Sequence, residues 1–310
     1  MAMIRNILVT GSSGTIGTRL CEKLLERNYT VRGVDWVPNK WSERINSLTT
    51  NVDLRSREQM EVLPTDADLV IHLAANARVY NLVLDPVLAR DNFETLFNTL
   101  EFCRRNAIKR ILFASSREVY GNSNQIVHFE NEAYVRNCES PYTASKVGGE
   151  ALVHAYHQCY DLDFVIVRFS NVYGMYDDTD RIIPLFIKKT TEGADIVVYG
   201  EEKLLDFTYI DDAVCGVLKC IENFDEVQND VFNIASGQGL SLVEVARKIQ
   251  GAMAGRTELS IGPSRIGEVE KFVADISKAR RILGYSPETM IDKGIERSVR
   301  WYRENLYKNV

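Results

Sequence analysis

Tyr142 and Lys146 stand four residues apart in "SPYTASK", one helical turn, so both side chains fall on the same helix face. A phenol and an ammonium at that spacing can work together. The positive charge stabilises phenolate and draws the tyrosine's pKa toward neutrality, which makes it usable as a general base. Upstream, "ASSREVYG" supplies Ser116, whose hydroxyl can hydrogen-bond the substrate oxygen that gives up the proton. A lone Tyr-x-x-x-Lys is a common pattern, so the elements that carry it decide its worth.

Those elements are legible as apolar, β-branched runs. "NILVT", "TVRGVD", "ADLVIHLAA", "RILFASS" and "FVIVRFS" are separated by helix-length connections, the pattern of parallel strands buried on both faces. The fold class expected is α/β: a Rossmann-type doubly wound parallel sheet with a smaller α/β C-terminal substrate domain. Ser116 closes "RILFASS" and so lies at the carboxyl edge of the sheet, where ligands of open α/β folds bind. Residues 1–173 are read as the dinucleotide-binding domain and 174–310 as the substrate domain, with a strand and helix near 205–235 returning to the main sheet.

Directly after the first strand comes "TGSSGTIG", with Gly11, Gly14 and Gly17 around Thr15 and Ile16. A glycine-rich turn running into a helix lets backbone N–H groups approach a pyrophosphate without side-chain charge. Ile16, Leu20 and Leu24 share one face of that helix, which can cover the sheet. Asp35 ends "TVRGVD", where a carboxylate can accept from both ribose hydroxyls of an adenosine and repel a 2′-phosphate, favouring NAD over NADP. Asp53 and Leu54 follow a candidate third strand and are expected to line the adenine; Leu73, Ala74 and Ala75 of "HLAA" let backbone pass close to the cofactor.

Composition removes other classes. With 37 Lys+Arg against 43 Asp+Glu the net charge is −6, so no basic surplus exists for a nucleic-acid backbone or an anionic membrane. Six cysteines lie without CxxC spacing, as expected of reduced thiols in a cytoplasmic protein. His154 and His157 have no completing ligands in sequence, so no metal site is expected. The N-terminal apolar run ends in glycines and reads as a strand, not a signal peptide. No apolar stretch reaches the roughly 18 residues that span a bilayer.

The whole series, TGxxGxxG, the Asp35 strand end, "HLAA", "SSREVYG", "YTASK", "RFSNVYG" and "ADISKARRILGYSP", occurs in this order. It resembles an extended short-chain dehydrogenase/reductase of the NAD-dependent epimerase/dehydratase family, similar to its UDP-glucose 4-epimerases. The resemblance implies tightly bound NAD, a UDP-linked sugar as substrate, and reversible oxidation at C4 through a transient 4-keto sugar. Carried over by motif, Tyr142 is the base, Lys146 holds the nicotinamide ribose and the tyrosine's pKa, and Ser116 bridges to the sugar hydroxyl. Asn171 holds a phosphate or sugar oxygen, Val198 and Tyr199 flank the nucleobase, and Arg265 binds the diphosphate. A homodimer through the segments 92–105 and 142–156 is implied by the same analogy.

Departures mark where the resemblance thins. Leu205 stands where relatives carry a phosphate-binding arginine, leaving Arg265 or Lys203 to compensate, and Phe272 and Glu268 replace a common tyrosine and aspartate. In related 4,6-dehydratases an Asp-Glu pair moves the protons that eliminate water; this chain has Arg117 and Glu118, and a guanidinium cannot donate its proton at neutral pH. Arg117 then binds a sugar carboxylate, or the two form a local ion pair. A UDP-glucuronate decarboxylase or 4,6-dehydratase is the nearest alternative activity. A non-catalytic NAD-sensing protein is the remote one, and the retained Ser116, Tyr142 and Lys146 speak against it.

Overall fold

The computed structural model describes residues 3–255 and 257–308. Among them a seven-stranded parallel sheet runs in the spatial order Asp230–Ile234, Asp163–Phe169, Arg110–Ser116, Leu69–His72, Asn6–Thr10, Thr30–Asp35, Thr49–Asn51. The chain leaves Asn6–Thr10 in one direction, then crosses back to Leu69–His72 and builds outward in the other. That reversal opens a crevice at the carboxyl ends of the two central strands, the place where such sheets hold ligands.

Strand residues alternate between two cores, as a pleat of period two requires. Ile7, Val9, Leu112 and Ala114 face one hydrophobic cluster; Leu8, Ile111 and Phe113 face the other. Helix Thr15–Glu26 buries Leu20 and Leu24 on the first side, beside helix Ile210–Glu222. Helices Val87–Arg105 and Pro141–Tyr160 pack together on the second. Because both faces are covered, the strands read as continuous apolar runs with little polar alternation.

A smaller sheet centres on Leu204–Tyr209, which pairs with Gly239–Ser241, Lys271–Ala274 and Asn171–Tyr173. Val127–His128 extends it beyond Lys271–Ala274. The expectation for residues 205–235 therefore divides. Leu204–Tyr209 stays in the smaller sheet, while Ile210–Glu222 and Asp230–Ile234 return, the latter pairing with Asp163–Phe169. The first core cluster continues through Ile187, Leu205 and Phe272, so the two sheets share one interior.

Candidate active site

Strand Arg110–Ser116 delivers Ser116 to the crevice, and helix Pro141–Tyr160 begins beside it. The helix starts there because Ser140 caps it, its hydroxyl accepting from the Thr143 N–H at 3.1 Å, with proline in the first turn, where the missing N–H costs nothing. Tyr142 thus sits at the helix entrance and Lys146 one turn further in. With Ser116 they line one cleft of about 350 Å³.

Ser116 accepts the Glu118 N–H at 3.2 Å and is a hydrogen-bonding neighbour of the Tyr142 phenol. Lys146 Nζ donates to the Ala114 carbonyl at 2.8 Å and lies 5.9 Å from the centre of the Tyr142 ring. Burial pushes the ammonium down to about 8, with Glu150 opposing. Burial pushes Tyr142 upward, with the Ser116 bond opposing. The depressed tyrosine expected from the spacing is absent from this geometry, because the ammonium is turned to a backbone carbonyl and the phenol is out of water.

Beneath these residues lies a network that spacing alone does not announce. Arg168 grips Glu150 through two bonds of 2.9 and 2.7 Å, and Ser115 donates to Glu150 at 2.5 Å. Arg168 also donates to the Tyr120 hydroxyl at 3.1 Å, which donates to Asn233 at 2.6 Å. It ties strands Arg110–Ser116, Asp163–Phe169 and Asp230–Ile234 to helix Pro141–Tyr160. The signal available in sequence was an arginine inside the apolar run "FVIVRF", since a buried charge demands a partner.

The glycine turn fits a dinucleotide. Gly11 has φ +72, and a Cβ there would lie 2.8 Å from the Ala74 nitrogen; one on Gly17 would lie 2.0 Å from the Gly11 carbonyl oxygen. Only bare backbone allows this packing, which leaves the turn and helix N-terminus open to a phosphate. Gly11, Gly14, Thr15, Ile16 and Gly17 line the cleft, as do Leu73 and Ala75 across from them. Ala74 donates its N–H to the Thr10 hydroxyl at 3.3 Å. Asp35 accepts the N–H groups of Ser13 and Val37 at 2.9 and 3.3 Å, and burial raises its pKa against those bonds.

Two expectations on the cofactor and substrate sides need correction. Leu54 is buried in the second core with Val34 and Met60, so its side chain does not line an adenine pocket. Its neighbour Asp53 is clasped by Arg55 at 2.7 Å. Val198 is wholly buried, whereas Val197 and Tyr199 line the cleft. The pleat of strand Ile196–Tyr199 puts residues 197 and 199 on one face and sends 198 to the core.

Arg117 and Glu118 form a buried ion pair of 2.7 Å on the cleft wall. Asn171 lines the cleft and donates to the Asp206 carbonyl at 2.9 Å. Arg265 lies over the rings of Tyr199 and Tyr80, 4.3 and 5.0 Å from their centres. Lys203, Leu205 and Phe207 share the cleft face of one extended run, and Lys203 donates to Glu268 at 2.5 Å. His154 and His157 pack against Phe164, 4.6 and 5.7 Å between ring centres. No group of metal-ligating side chains occurs among the described residues.

Residues 7–235 match the model of the family described as NAD dependent epimerase/dehydratase. The chain belongs to this family. Among its members, a UDP-glucuronate 4-epimerase of Thermodesulfobacterium geofontis is 31% identical over 96% of both chains. Two solved structures superpose on this chain with a TM-score of 0.88 at 28% identity, each over 97% of it. One is a UDP-glucose 4-epimerase of Thermotoga maritima with UDP-glucose, over 99% of its own length. The other is a Thermus thermophilus UDP-glucose 4-epimerase with NAD, over 100%.

Proposed function

We propose that this member of the family is an NAD-dependent nucleotide-sugar 4-epimerase acting on a UDP-linked hexose or hexuronate. The observation that carries the reading is one cleft in which Ser116, Tyr142 and Lys146 meet the glycine turn. The turn of Gly11, Gly14 and Gly17 would hold the pyrophosphate, and Asp35 the adenosine ribose, where its charge disfavours a 2′-phosphate. When bound, NAD supplies the hydride acceptor and donor for C4 and leaves the cycle unchanged.

Tyr142 takes the proton of the C4 hydroxyl, and Ser116 holds that oxygen by a hydrogen bond. The Lys146 cation, here held by the Ala114 carbonyl, would favour the deprotonated phenol once turned toward it. The 4-keto sugar turns over in the cleft, and Tyr142 returns the proton to the oxygen on the new face. Asn171, Tyr199 and Arg265 would hold the nucleotide portion. Arg117, paired with Glu118 and unable to give up a proton, leaves elimination of water without its acid, which weighs against a dehydratase. We further propose a cytoplasmic homodimer pairing through residues 92–105 and 142–156 of the helices Val87–Arg105 and Pro141–Tyr160, where Phe93 is exposed.

Proton NMR of the purified protein with UDP-glucose, UDP-N-acetylglucosamine or UDP-glucuronate, and no added reductant, tests the reading. The expected product differs from its substrate only in C4 stereochemistry. A pentose or a 4-keto-6-deoxy sugar would overturn it.

A further inference from the structure

The cleft wall beside Ser116 carries four charges brought from two parts of the chain. Arg117 bonds Glu118 at 2.7 Å and Lys203 bonds Glu268 at 2.5 Å, and all four residues line the cleft. Two cations therefore cancel two anions. Within the first pair the bonding is incomplete: Arg117 Nη1 and Glu118 Oε2 are both buried without a close hydrogen-bond partner, and the carboxylate's further support is the backbone N–H of Val269. The residues are 8% and 2% exposed. Arg117 Nη1 has given up water and gained no bond in return, and Glu118 Oε2 has no close one, which native folds rarely leave unexplained.

We propose that the Arg117–Glu118 pair reads a hydroxyl carried near the reacting carbon, and so selects neutral UDP-hexoses over UDP-hexuronates. The inference rests on the 4-epimerase reading and specifies its substrate. A hydroxyl both donates and accepts. It can meet the unpaired guanidinium N–H and the unpaired carboxylate oxygen together, at the expense of rotating the two side-chain ends. A carboxylate only accepts. It satisfies Arg117 but brings a second anion against Glu118 on a buried wall whose two cations, Arg117 and Lys203, are already matched. The carboxylate-binding role suggested by Arg117's charge leaves out the neighbour that cancels that charge.

The test is calorimetric titration of the NAD-loaded protein, with Tyr142→Phe silencing turnover, against UDP-glucose and UDP-glucuronate. UDP-glucose should bind at least about tenfold more tightly. Adding Glu118→Gln, whose amide can donate to a carboxylate, should narrow that ratio by about tenfold. Equal or tighter binding of the uronate, or an unchanged ratio in the glutamine variant, overturns the proposal. If Glu118→Gln does not fold, the ratio in the parent decides. Faster C4 inversion of UDP-glucuronate than of UDP-glucose in the unmutated protein would leave the epimerase standing and sink this inference alone; binding of neither nucleotide would sink both.

Discussion

Lys146 is kept charged in a place that disfavours charge. Its pKa is pushed from 10.5 to about 8 by burial, so holding the proton at neutral pH costs roughly 3 kcal/mol of stability, before the Ala114 bond is counted. Lys146→Met should therefore stabilise the fold at pH 7 by roughly 1–3 kcal/mol in urea unfolding while abolishing turnover. The sign follows from the direction of the shift. The penalty is complete below pH about 8, where folded and unfolded chains both carry the proton, and fades as pH rises toward 10.5, so the variant's advantage should shrink over that window. Tyr142→Phe removes the proposed base but no packing. It should cut kcat by about 10²–10⁴ with NAD retained, and unchanged turnover would remove Tyr142 from the chemistry.

At the scale of elements, the helix that carries Tyr142 and Lys146 is aligned by buried charge as well as by its cap. Arg168 on strand Asp163–Phe169 and Glu150 on helix Pro141–Tyr160 are joined by two bonds with little solvent access. Removing one partner leaves the other charge buried alone, a loss of about 3–5 kcal/mol. Arg168→Ala should show that loss in chemical denaturation, together with a fall in kcat, because Glu150 also receives Ser115, the neighbour of Ser116. Full stability in that variant would mean that water or a neighbour replaces the guanidinium. Lys203 and Glu268 do similar work for the other wall, holding the turn before Leu204–Tyr209 to a segment 65 residues away.

Across the whole molecule, one interior spans both sheets, and on the opposite face of the large sheet His72 is buried against Phe113. Burial, and secondarily the Lys146 charge, drive this imidazole down to about 3, where it stays neutral, bonded to Thr10 at 3.0 Å and stacked on Phe113. Its folded pKa lies below its unfolded value of 6.5. The unfolded chain therefore takes up a proton first, and stability contributed by neutral His72 is lost as pH falls from 6.5 toward about 3. Urea midpoints measured across that range should decline, and His72→Phe should flatten the decline. An identical slope in the variant would assign acid unfolding to other groups.

What could be learned from sequence alone were the features governed by local rules. Strand runs show themselves by apolar continuity, the phosphate turn by glycines at positions where a Cβ collides with backbone, and the Tyr142–Lys146 pair by helical period. These made the sheet, the cofactor class and a candidate Tyr142–Lys146 pair readable. Tertiary structure decided whatever depends on register or on partners far apart in the chain. Which of Val197 and Val198 meets the cleft is set by one step of the pleat, and Leu54 is turned to the core by Val34 and Met60. Between a carboxylate-binding Arg117 and a local ion pair, the contact with Glu118 decided for the pair, and Arg168 finds its partner in Glu150 on another element. Charge and type are local properties of a residue, but its net field and the direction it faces belong to the packed core.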